Sequence, residues 1–126
     1  MTRWDTLAAV AVGGAAGASA RYAITLVASG DLWATFAINI AGCFAIGVLM
    51  VFAAGAHRLV RPFLGTGVLG GFTTFSAYAV QAHALLERGA IPTAIVYLAG
   101  TLVAALVAVQ AGVAAARSVT GRGDEL

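Results

Sequence analysis

The residues of this chain able to do chemistry are few, and Arg21 is the only charge among those set deep in an apolar segment. The densest group is a run in which Gly65, Gly67, Gly70 and Gly71 lead into Phe72-Thr73-Thr74-Phe75-Ser76. Glycine and β-branched threonine both weaken a helix. In a bilayer the freed backbone groups must find partners in protein or in an aqueous cavity. A helix break here therefore marks a buried or functional place; the alternative is a close-packing surface whose small residues let a neighbouring helix approach. Asn39 has Thr35 four residues before it and Cys43 four after, which puts all three on one helix face. Its amide either bonds a neighbouring helix or donates its NH₂ group to a passing anion. Tyr97 and Thr101, again four apart, line a path or bond across helices. Arg21 is either paired and functional or snorkels to the nearby interface.

Taken together, the deep polar groups are hydroxyls, an amide and one arginine, with no deep carboxylate. A proton-coupled exporter needs a titratable carboxylate or histidine on its pathway, so a small multidrug-type exporter is disfavoured. Donors without relay acceptors suit an anion, and the positive rim of an aromatic ring can meet one without a formal cation. An enzyme is disfavoured because Ser76 has no histidine nearby in its helix and no nucleophile–base pair stands out. Cys43, His57 and His83 make no metal spacing. The net charge of +2 comes from arginine alone, without a basic run to track nucleic acid.

The elements that must carry these groups follow from composition. Of 126 residues 61% are hydrophobic and 10% charged, against roughly 45–50% and about 25% in soluble domains, and the mean hydropathy is +0.96. A spanning helix takes about 20 residues, up to about 25, so four spans consume nearly the whole chain. Charge, glycine and proline divide it into helices at about 5–29, 32–56, 59–86 and 91–116, followed by a polar tail, 117–126, expected to fray. The reading is an all-α integral membrane protein, one four-helix domain whose third helix breaks near its middle. Ala18-Ser19-Ala20 imitates a signal-peptide cleavage site, but the apolar character resumes at Tyr22, long enough in total to span. With the N-terminus inside, Arg3, Arg58, Arg61, Arg117 and Arg122 lie on the cytoplasmic side against Arg21 and Arg88 opposite. That bias favours N-in and C-in, weakly in so small a protein.

Four stretches in order resemble the small fluoride channels called Fluc or CrcB. They are Gly13-Gly14 with Gly17-Ala18 and Arg21-Tyr22; Thr35 with Asn39, Gly42-Cys43-Phe44 and Gly47; Gly67 with Gly70-Gly71-Phe72-Thr73-Thr74-Phe75-Ser76; and Tyr97 with Thr101. The resemblance covers nearly the whole chain and makes the first helix part of the fold. It implies passive export of fluoride across the cell membrane, as in a prokaryotic inner membrane, by an antiparallel dual-topology dimer with two pores between its subunits. It implies that Asn39 and Arg21 lie near a vestibule, that Phe75 supplies one phenyl of an aromatic box with Tyr78 as the second ring, and that Thr35, Ser76, Tyr97 and Thr101 place hydroxyls along the path. The backbone carbonyls of Gly70 and Thr73 are implied ligands of a structural Na⁺ at the dimer interface.

The chain departs from that pattern at Tyr78, where the family has phenylalanine, at Ala79, where a hydroxyl is lost, and at Gln81, where an acidic residue is expected. With the arginine bias, these departures raise the possibility of a heterodimer with a sister subunit beside that of a homodimer. A non-transporting membrane scaffold is the remaining class, since glycine-rich packing alone would serve it.

Overall fold

The computed structural model describes residues 3–29 and 31–121. They form α1 (Arg3–Val27), α2 (Leu32–Phe52) with a 3₁₀ turn at Ala53–Gly55, a π-helical segment (Arg61–Leu69) that runs on as α3 (Gly70–Phe72), then α4 (Phe75–Glu87) and α5 (Ile91–Thr120). Four stretches are long and apolar enough to cross a membrane: Arg3–Val27, Leu32–Gly55, Arg61–Glu87 and Ile91–Thr120. Asp31 starts α2 by accepting the Ala34 N–H at 2.8 Å, which satisfies one of the free amides of the first turn. At the far end α5 outruns the expected limit at residue 116. Arg117 does not stop the helix, because a cation suits the negative end of the helix dipole. The stop comes at Gly121, whose φ of 71° takes the left-handed conformation that glycine adopts without strain. The rest of the expected tail, 122–126, lies outside the described residues.

The packing is built on small residues. α1 lies along the π-helical segment and α3, α2 lies along α5, and α4 leans on α5 and α2. Among the described residues no large side chain is completely buried, and the core cluster is Ala82, Leu85, Ala94 and Tyr97 with Leu32, Phe36, Tyr78 and Leu98 around it. Glycine permits the close crossings. A Cβ on Gly17 of α1 would strike the Val68 carbonyl, and one on Gly112 of α5 would strike the Phe44 carbonyl of α2. Both neighbours are backbone and cannot yield as a side chain would. Outward, Val96, Leu102, Val103, Leu106 and Val107 make a broad exposed apolar face on α5, as expected where lipid or a second subunit replaces water.

This contact predicts that Gly112→Val destabilises the fold by about 1–3 kcal/mol, seen as a lowered thermal midpoint in detergent. Gly55→Ala, with open space around the added methyl, should leave the midpoint unchanged.

Candidate functional site

The expected break in the third span lies at Thr73–Thr74. Thr73 (φ −79°, ψ 156°) and Thr74 (φ −145°, ψ 118°) are both extended. The half-helix before them ends with the Thr73 N–H and hydroxyl both donating to the Leu69 carbonyl, each at 3.0 Å. The next amide, Thr74 N–H, would close a helical bond on the Gly70 carbonyl. It donates instead to Asn39 Oδ1 at 2.8 Å, while Asn39 Nδ2 donates back to the Thr74 carbonyl at 3.0 Å. One side-chain amide thus takes both backbone groups of one residue, as a neighbouring strand would. Asn39 is only 8% exposed and Thr74 7%, so this pairing replaces the hydration that an extended backbone inside a bilayer lacks.

Two further side chains close the gap. Thr74 Oγ1 caps α4 by accepting the Ala77 N–H at 3.1 Å and lies 3.2 Å from Ser76 Oγ. From α1, Arg21 Nε donates to the Gly71 carbonyl at 3.2 Å, placing its charge at the C-terminal end of the first half-helix, where a cation is favoured. Arg21 is therefore paired with backbone instead of snorkelling.

Beside the break runs a groove of about 390 Å³, whose walls include Asn39, Cys43, Thr73, Thr74, Phe75, Tyr78 and Thr101. Among the described residues no charged side chain lines it. Phe75 is 79% exposed, and its ring lies 5.8 Å from that of Tyr78, which in turn lies 5.3 Å from Tyr97. The three rings form a tilted ladder from the surface inward. The Tyr78 hydroxyl donates to the Leu98 carbonyl of α5 at 2.6 Å. The oxygen that distinguishes Tyr78 from phenylalanine is thus engaged with α5.

Behind the ladder, Tyr97 Oη donates to Gln81 Oε1 at 2.8 Å, and Gln81 Nε2 donates to Thr35 Oγ1 at 2.9 Å. The buried Thr101 hydroxyl has no partner. It lines both the main groove and a second one, of about 280 Å³, that Phe36 and Tyr97 also line. An unsatisfied buried hydroxyl costs about 1–3 kcal/mol.

Of the residues singled out in the sequence, the groove gathers Asn39, Phe75, Tyr78, Thr101 and Thr73. Tyr97 and Thr35 join it through the Tyr78 ring and Gln81. Ser76 sits at its edge through Thr74, and neither Ser76 nor Arg21 is among the described residues lining the main groove or the second one. Arg21 acts on the break from the α1 side. Of the two roles its chemistry allows, the structure shows one: Asn39 bonds a neighbouring helix with its oxygen and one amide proton, and it lines the groove. Gln81 is the residue that the sequence reading undervalued, noting it only as a departure. A polar residue three positions after Tyr78 on the same face of an apolar helix was the available signal.

Comparison with known proteins places the chain in a family. Residues 8–113 match the family model described as CrcB-like protein, Camphor Resistance (CrcB). The chain is 52% identical over 122 residues to fluoride-specific ion channel FluC 2 of Nocardia farcinica, covering 91% of this chain and 87% of that one. It is 53% identical over 125 residues to FluC 1 of Streptomyces coelicolor, covering 94% and 81%. To FluC of Paracoccus denitrificans it is 46% identical over 121 residues, covering 90% and 96%. With the four spans, the broken third helix and the groove beside it, this match over most of the chain shows that the protein belongs to the CrcB family.

Proposed function

We propose that this chain is a subunit of a fluoride-selective channel that lets fluoride leave the cell passively through the plasma membrane, and that it performs no enzymatic reaction. The observation that carries the reading is the groove beside the Thr73–Thr74 break: amide, hydroxyls and ring edges converge there without a fixed charge. Fluoride is small and strongly hydrated, so a path must offer close donors in place of water. Conduction also requires release, and neutral donors hold an anion less tightly than a buried cation would. The Asn39 amide proton, the Thr101 hydroxyl and the edges of Phe75 and Tyr78 are the groups offered to the ion. Gln81 fixes the orientation of Tyr97 and Thr35 behind them. The names of the relatives in three bacteria support the substrate, and among the described residues the walls of these grooves carry amide, hydroxyl and ring groups, not carboxylates.

The groove is open along one side, and Phe75 projects from it almost fully exposed. A second subunit in antiparallel orientation, a copy of this chain or a sister chain, closes it. A structural Na⁺ fits the donor set of the break. A hard cation takes oxygen ligands, and the Gly70 carbonyl has lost its helical donor to Asn39, while the Thr73 carbonyl leaves the helical ladder with its extended backbone. Those two carbonyls would hold the ion, and it would supply positive charge that ties two broken helices together.

The direct test is fluoride efflux from liposomes containing only this chain, with chloride as the control. Fast fluoride and negligible chloride efflux is expected of a self-pairing channel. Flux that appears only when a sister chain is added assigns the heterodimer, and none under either condition removes the channel reading. Within a conducting pair, Asn39→Asp should cut fluoride efflux at least about tenfold. It sets a negative charge in the path and removes the donor to Thr74, so its loss exceeds the roughly 1 kcal/mol of one hydrogen bond. Tyr78→Phe keeps the ring edges and should stay within about threefold of the parent rate, whereas Tyr78→Ala, which removes ring contacts worth about 0.5–1.5 kcal/mol as well as the edge, should fall well below it.

A further inference from the structure

A third groove, of about 380 Å³, lies at the other end of α2, between that helix and the π-helical segment. Its walls differ in character. Arg61 and Thr66, five residues apart and so one π-helical turn from each other, give it polar donors; Ile46, Leu49 and Met50 of α2 give it an apolar side. The Arg61 guanidinium makes its hydrogen bond to Met50 Sδ at 3.6 Å. A thioether is a weak acceptor, and a guanidinium has five N–H donors in a planar fork, so most of its capacity for an anion is unused.

The groove opens at a membrane surface. Met50 is near the end of the second span and Arg61 begins the third. Arg58 pairs with Asp5 of α1 at 3.0 Å on the same side. Among the described residues this side carries Arg3, Arg58, Arg61 and Arg117 against Asp5 as its acid. An apolar wall running into the bilayer below an arginine at the interface complements an amphiphile with a negative head.

We propose that this groove binds an anionic glycerophospholipid, with the phosphate diester on Arg61, an ester or glycerol oxygen at Thr66, and an acyl chain along Ile46 and Leu49. The arginine fork matches two phosphate oxygens, and the bilayer presents the lipid at high local concentration. The polar half of the site stands apart from the channel reading: Arg61 and Thr66 line neither groove beside the break, and of this groove's walls Ile46 alone is shared with them.

The test is thermal unfolding of the full chain in a neutral detergent with added phosphatidylglycerol, phosphatidylcholine or inorganic phosphate. Phosphatidylglycerol should raise the midpoint by about 4 °C or more, and the other two should do far less. Arg61→Gln should lose most of the rise, Arg61→Lys part of it, and Arg88→Gln, on the opposite side, none. An equal rise with inorganic phosphate would mean a free-anion site, and an equal rise with phosphatidylcholine general solvation. An undiminished rise in Arg61→Gln would put the lipid elsewhere. No rise at all, as when a second protein copy covers the groove, would also overturn the proposal. If Arg61→Gln does not fold, native mass spectrometry of the parent chain decides: preferential retention of phosphatidylglycerol over phosphatidylcholine supports the site, and equal retention refutes it.

Discussion

Two hydrogen bonds between Asn39 and Thr74 carry the architecture. A bilayer offers no water to an interrupted helix, and each unsatisfied backbone group there costs several kcal/mol. The break survives because Asn39 presents an acceptor and a donor at the separation of a peptide's own groups. Arg21 takes the Gly71 carbonyl and Thr74 caps the helix that follows. The chain can then turn Phe75 outward and start α4 in a new direction, and this brings Tyr78 and Gln81 against α5. Without that pair of bonds the third span would close its ladder, and the ring ladder would lose its origin.

The same economy would let a four-helix subunit line a selective path. In the proposed channel Asn39 and the packed rings serve the fold first and would offer an ion only their surplus, one amide proton and the ring rims, while the unpaired Thr101 hydroxyl would be offered whole. Structure and the proposed conduction would then draw largely on one set of atoms. Gln81 extends the set inward, because one amide accepts from Tyr97 and donates to Thr35 and holds α2, α4 and α5 in register. Being neutral, it would add no charge to the proposed anion path.

The four spans were legible because hydrophobic run length is a sufficient signal in a bilayer, and the break was legible because glycine and threonine crowd a place where a helix should be strong. Helix ends were less so. Arg117 resembles a stop, yet α5 continues to Gly121, since only the backbone conformation at the glycine ends it. The roles of Asn39 and Arg21 stayed open in the sequence because an amide or a guanidinium in a span is equally consistent with gluing and conducting. What decides is which backbone atom lies opposite, and that depends on the close approaches at Gly17, against Val68 and Phe72, and at Gly42, against Thr73. Gln81 was the least legible, because its importance rests on two partners 16 and 46 positions away.

The central claim is that the uncharged groove beside the break, completed by a second subunit, passes fluoride and rejects other anions. Its most direct measurement is the reversal potential of a planar bilayer containing the channel, with a tenfold fluoride gradient and symmetrical chloride. The account predicts reversal close to the fluoride Nernst potential, about 59 mV in magnitude, unmoved when a chloride gradient is added. Reversal near zero, or one that follows chloride, would contradict it.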